Sequence, residues 1–164
     1  MGYRQIPLSQ RLGLSFQETA YWRVDMAQAE CFMYFIAGLR QVFGDGNILY
    51  IEGTELDPEI EEFYQAHAAA HPASIQRLLR RSKAHHVLLN GPAHKVLARF
   101  ATCKTYPQIC DAMLIYRDGA VLMDGSRIGE RVALFSGEIP ESKIKKFCAA
   151  RPLGAVYEWI DETS

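Results

Sequence analysis

The chain has 164 residues, 49% of them hydrophobic and 23% charged, with a formal net charge of −1. That is the make-up of one globular domain, long enough to bury roughly 70% of the surface its unfolded form exposes without staples. Near-neutral charge excludes a global pull toward nucleic acid or acidic lipid, and the most apolar run, Cys31 to Leu39, is far shorter than the ~20 residues of a membrane-spanning helix.

Residues 1–24 mix apolar and polar types without a clear period and are expected to form a largely irregular N-terminal arm with at most one strand. Asp25, with Gln28 three positions on, has the form of a capping box. Phe32, Phe35, Ile36, Leu39 and Phe43 then follow at helical spacing, and Gly44 marks a stop. With Met33 and Tyr34 beside them, the helix is apolar on nearly every side, which predicts a central buried element. After the turn residues Gly44 to Asn47, Ile48 to Ile51 reads as a short strand buried on both faces. Asp57 and Pro58 open a helix whose inner face is Ile60, Phe63, Tyr64 and His67, and Pro72 is the expected stop. A second helical piece is expected from about Ser74 to Ser82.

His85 to Asn90 reads as a strand, and Gly91-Pro92 opens a helix with Val96, Leu97, Phe100 and Ala101 inward. Ala112 to Gly125 is a hairpin turning at Asp118-Gly119, and Arg131 to Gly137 is a third adjacent strand. Pro140 opens a helix with Ile144, Phe147 and Cys148 inward and Lys143, Lys145 and Lys146 outward. Ala155 to Ile160 is the last strand. This order predicts an α+β or mixed α/β domain over residues 1–164, its sheet parallel early and antiparallel late, with helices packed on it.

Cys31, Cys103, Cys110 and Cys148 form no metal-knuckle or redox pair, and the opening residues lack an apolar signal core. Free thiols in a soluble cytoplasmic protein are the expectation. The chain also lacks a Walker loop, a dinucleotide-binding glycine pattern and a nucleophile elbow.

Chemistry has four candidate places. Glu52 leaves the Ile48–Ile51 strand at an end where ligands gather in open α/β sheets, so it is a candidate catalytic carboxylate. Alternatively it breaks the strand and joins a solvated acidic turn. The run from Ile48 to Gly53 resembles the first motif of Toprim domains, found in topoisomerases, primases and nucleases. That resemblance implies a glutamate in acid–base chemistry and a later Asp-x-Asp that holds magnesium. Only Glu52 and Gly53 match, because the next strand ends in Asn90-Gly91-Pro92.

His67 and His71, i and i+4, would share a helix face and are the candidate metal ligands, completed by His85, His86 or His94. His94 near a helix start is a second catalytic candidate, held neutral beside an anion site. Arg77, Arg80, Arg81 and Lys83 form a basic cluster without aromatics to stack on bases, so nucleic acid is not the expected partner. A solvated helix face, paired with the acids before it, is its commoner fate.

Between Glu52 and Glu62 stand six acids and no base. The leading expectation is therefore a non-catalytic domain that binds a protein partner through Glu55, Glu59 and Glu62, with no particular cofactor indicated. The alternatives are a metal-assisted enzyme acting on a phosphodiester or similar bond at Glu52, and a small-ligand pocket lined by the aromatic helix.

Overall fold

A computed structural model describes residues 18–27, 31–75, 81–150 and 153–163. Seven strands form one sheet: β1 (Ala20–Met26), β2 (Ile48–Gly53), β3 (Lys83–Leu88), β4 (Ala112–Arg117), β5 (Ala120–Gly125), β6 (Val132–Ser136) and β7 (Ala155–Asp161). Five α-helices accompany them: α1 (Cys31–Val42), α2 (Pro58–Ala66), α3 (Gly91–Cys103), the single turn α4 (Tyr106–Ile109) and α5 (Glu141–Ala149). Among the described residues no helix is long and apolar enough to cross a membrane.

The strand order is β3-β2-β4-β5-β6-β1-β7, and every neighbouring pair is antiparallel. This overturns the expectation of a mixed sheet. A helix connection does leave the linked strands pointing the same way, and following the pairings shows it for β1 and β2 through α1, β3 and β4 through α3, and β6 and β7 through α5. Each such couple is separated by at least one strand running the other way: β2 lies between β3 and β4, and β1 lies between β6 and β7. Only β2 and β3 are both joined through a helix and adjacent. There α2 carries the chain back to the start of β2, where the Leu88 amide donates to the His67 carbonyl. β3 then begins at the far end, where Lys83 pairs with Gly53.

The strands read in sequence are all present, and so are four of the five helical pieces, apart from shifted ends; the single turn α4 was not foreseen. α2 stops at Ala66, well before Pro72, because residues 67–69 exchange helical bonds for sheet bonds: the Ala69 amide donates to the His86 carbonyl, and Ala68 bridges Val87. Asp25 does not cap α1. It lies in β1, where Trp22, Val24 and Met26 face the core while Arg23 and Asp25, on the other face, pair at 3.0 Å. Of the helical piece expected over 74–82, residues 74–75 and 81–82 are not helical and 76–80 lie outside the described residues.

The helices cover one face of the sheet. Phe35, Leu39, Ile60, Leu97, Ile144 and Phe147 close over Val24, Leu49, Ile51, Met113, Met123 and Phe135. α1 is central, as its apolar breadth predicts, though Tyr34 reaches solvent at 38% exposure. The opposite face has its own smaller cluster, Tyr50, Ala112, Leu114, Tyr116 and Val121, with Ala73 and Ile75 packed against it. β2 is thus buried on both faces.

Candidate functional site

Strand alternation assigns β2 side chains to the two faces: Leu49 and Ile51 toward the helices, Tyr50 and Glu52 away from them. Glu52 is 0% exposed, so it is neither an open strand tip nor part of a solvated turn. Its carboxylate accepts from the Tyr50 hydroxyl at 2.8 Å and from the Ser82 hydroxyl at 2.7 Å. On the same face the Tyr116 hydroxyl, 2.8 Å from His86 Nδ1, accepts from the Ala73 amide at 3.0 Å. These bonds satisfy polar groups that a sheet face needs when it is closed over. They join β2, β3 and β4 to residues 73 and 82 and make a structural network.

The other chemical candidates lie elsewhere. His94, near the start of α3, is buried on the helix side, and among the described residues its Nε2 has no hydrogen-bond partner. Burial, then the Arg40 charge, lowers its pKa, with Asp45 opposing. His67 is the C-cap of α2 with its ring 4.6 Å from that of Phe63, and His71 lies beyond the helix in an exposed loop. The helix-face geometry the pair required therefore does not form. Among the described residues no group of three His, Cys, Asp or Glu side chains is placed to hold a metal ion. Glu52 lies on the sheet face away from the helices and His94 on the helix side, so those two do not share a cleft.

The acidic run divides by its partners. Asp57 caps α2 by accepting from the Glu59 amide and meets Lys104 at 3.1 Å, which holds its carboxyl below the usual range. Glu61 meets Lys83 at 3.0 Å and His85 at 3.4 Å and is likewise lowered, chiefly by the lysine. This realises part of the expected pairing between the acidic and basic segments. Arg81 is exposed, and Arg77 and Arg80 lie outside the described residues. Glu55, Glu59 and Glu62 remain exposed.

A recess with a different composition opens at the other end of the sheet. Trp22 of β1 stands directly across from Trp159 of β7, and Val24 across from Tyr157, so both β7 aromatics share the helix face. The Trp22 and Trp159 ring centroids are 4.6 Å apart at 60°, and those of Trp22 and Tyr157 are 5.8 Å apart at 72°. Residues 137–140 form the opposite wall. Trp22 Nε1 donates to the Ile139 carbonyl at 2.9 Å and pins that wall to the aromatic floor. Gly137 permits the approach, since a Cβ there would fall 2.5 Å from the Ala20 carbonyl oxygen and 3.0 Å from the Trp159 ring.

The recess is shallow and largely open to solvent, with a volume of about 520 Å³. Two carboxylates, Glu138 and Glu141, complete its lining. Tyr157 donates its hydroxyl to Glu141 at 3.1 Å, and desolvation followed by that carboxylate pushes the phenol pKa up, so the donor stays protonated. Among the described residues neither carboxylate forms an ion pair. A site with electron-rich ring faces and acids on its rim attracts a cation and repels an anion. The aromatic pocket expected along α1 is absent, since Phe32, Phe35, Ile36 and Leu39 are packed into the core.

Sequence reading missed this recess because its walls come from positions 22, 137–141 and 157–159. The available signal was the spacing of Tyr157 and Trp159, which sets two large aromatics on one face of a terminal strand.

No protein-family model matches the chain, and neither a curated protein nor a solved structure does.

Proposed function

We propose that this chain is a non-catalytic binding domain that seats an organic cation, an alkylammonium group, in the recess of Trp22, Tyr157 and Trp159. The observation that carries the reading is the pairing of converging aromatic rings with two rim carboxylates that meet no described base. It keeps the expectation of a binding protein but moves the surface away from Glu55, Glu59 and Glu62. Those three acids are exposed and offer only screened surface charge. The enzymatic alternative at Glu52 needs access to a carboxylate that is closed off and already hydrogen-bonded.

Both tryptophans of the chain line the recess, so intrinsic fluorescence and calorimetry can follow titration with tetramethylammonium and choline. Saturable binding is expected, with the uncharged tert-butyl isostere of choline at least about tenfold weaker. Trp159→Ala should weaken binding by about tenfold, since a cation–π contact is worth about 1 kcal/mol or more once partly desolvated. Lysine at Glu55, Glu59 and Glu62 together should leave it unchanged. Equal affinity for the charged and uncharged isosteres would overturn the cation reading, as would no binding of either.

A further inference from the structure

The strand that carries Tyr157 and Trp159 is the last in the sheet, and its outer side pairs with no described strand. The opposite edge differs: β3 is partly covered by residues 67–69, which bond to His86 and Leu88. An edge that no described strand pairs is a template for another extended chain.

Register decides which backbone groups the edge presents. The Glu162 amide donates to the Thr19 carbonyl at 2.7 Å, so Thr19 and Glu162 form a hydrogen-bonded pair of the β1–β7 ladder. Such pairs recur every second residue in an antiparallel ladder. Continuing the observed register, Ile160, Glu158 and Val156 bond to β1. Trp159 and Tyr157 therefore turn their N–H and C=O groups outward. The close contact of the Trp22 and Trp159 rings is what the non-hydrogen-bonded position of that pair predicts.

Both aromatic residues thus present a side chain to the recess and a backbone donor and acceptor to the edge. A residue of an added antiparallel strand that exchanges both hydrogen bonds with either one projects its own side chain onto the same face of the sheet. That face is the mouth of the recess. Charge selects the partner: Glu138 and Glu141 line the recess beside this edge and form no ion pair among the described residues, while Glu158 stands opposite Arg23. Two copies joined edge to edge would oppose acid to acid, whereas a basic peptide meets complementary charge.

We propose that the cation arrives on a peptide: a basic, extended segment adds antiparallel to β7 and places a methylated lysine in the Trp22–Tyr157–Trp159 recess. This rests on the cation reading above. Methylation spreads the ammonium charge and lowers its hydration, which favours aromatic faces over water.

The test compares three probes on the whole chain by tryptophan fluorescence and calorimetry. One is a lysine-rich peptide of about nine residues, enough to span β7 at about 3.3 Å per residue, with a single trimethyllysine at its centre. The second is the same peptide unmethylated, and the third is trimethyllysine alone, capped at both ends. The methylated peptide is expected to bind at least about tenfold tighter than either of the others. Methylating its backbone amides on the bonding side should remove its advantage over the capped residue. If the capped residue equals the methylated peptide, strand addition is overturned while the recess reading stands. If the methylated and unmethylated peptides bind equally, the methyllysine assignment is overturned. If none of the three binds, both this proposal and the cation reading fall.

Discussion

Buried histidines show how far a single side chain can be read from its neighbours in sequence. His94 was legible as a residue near a helix start, because Asn90, Gly91 and Pro92 announce that start locally, and Asn90 does cap it by accepting from the Ala93 amide. Its burial among residues of α1 and the turn after it was not legible, since those residues lie some fifty positions away. Glu52 teaches the same lesson: its place at the end of a strand was readable, whereas its closure beneath residues far along the chain was not. The burial of His94 has a measurable consequence. Desolvation lowers the pKa of His94, with Arg40 adding to the effect, and desolvation with His85 does the same for His86. Both folded values lie below that of the unfolded chain, about 6.5. Their contribution to stability is therefore complete above about pH 6.5 and is lost as pH falls through the unfolded value toward the folded ones. The unfolding free energy from urea titrations should fall between about pH 7.5 and about pH 5.5, by at most about 1.4 kcal/mol per pH unit for each histidine. His94→Gln should shrink that fall whatever it does to stability at neutral pH. An unchanged pH slope would show that this ring is not a titrating group.

Elements were legible wherever short-range chemistry specified them. Asp57 and Pro58 start α2, and Asp118 and Gly119, both with positive φ, turn the β4–β5 hairpin. Elements were misread where a distant partner outcompeted a local signal. α2 ends early because β3 supplies sheet bonds to residues 67–69, and β1 was left indistinct although Trp22, Val24 and Met26 alternate cleanly with Arg23 and Asp25. Helix packing has a comparable hidden determinant at Gly38, in the interior of α1. Helix propensity favours alanine there by about 1 kcal/mol. A Cβ at Gly38, however, would lie 2.7 Å and 3.0 Å from carbons of the Phe147 ring. That ring is held between Phe35 and Phe135, each with its centroid 5.6 Å away, and has little room to withdraw. Overpacking at such a contact costs about 1–3 kcal/mol. Gly38→Ala should therefore destabilise the protein by about 1–2 kcal/mol despite its better propensity. Adding Phe147→Leu to Gly38→Ala should cost less than Phe147→Leu costs the parent, which is the coupling a steric contact between α1 and α5 produces. A more stable Gly38→Ala protein would mean that the two helices separate easily.

The direction of the whole sheet was the least legible feature, and the reason is topological. A strand–helix–strand order specifies that the linked strands point the same way, and three such couples do. It does not say whether another strand enters between them, because that strand comes from elsewhere in the chain. Here β1, first in sequence, enters between β6 and β7, which are last. The insertion ties the two ends of the chain into one unit: β6 and β7 have no direct pairing and depend on β1 to join them. Contacts of such long sequence separation form late, since loop closure must precede the burial that rewards it. Once formed, they leave no half of the sheet with a complete core. Trp22 and Trp159 report on this closure alone, as both belong to the β1–β7 pair, whereas far-UV circular dichroism averages over every helix and strand. The two signals should lose half their change at the same urea concentration and give the same slope, the behaviour of a single cooperative unit. A tryptophan transition at clearly lower urea would mean that β1 and β7 peel away from an otherwise folded sheet, and that this edge is an appendage rather than the closing seam of the fold.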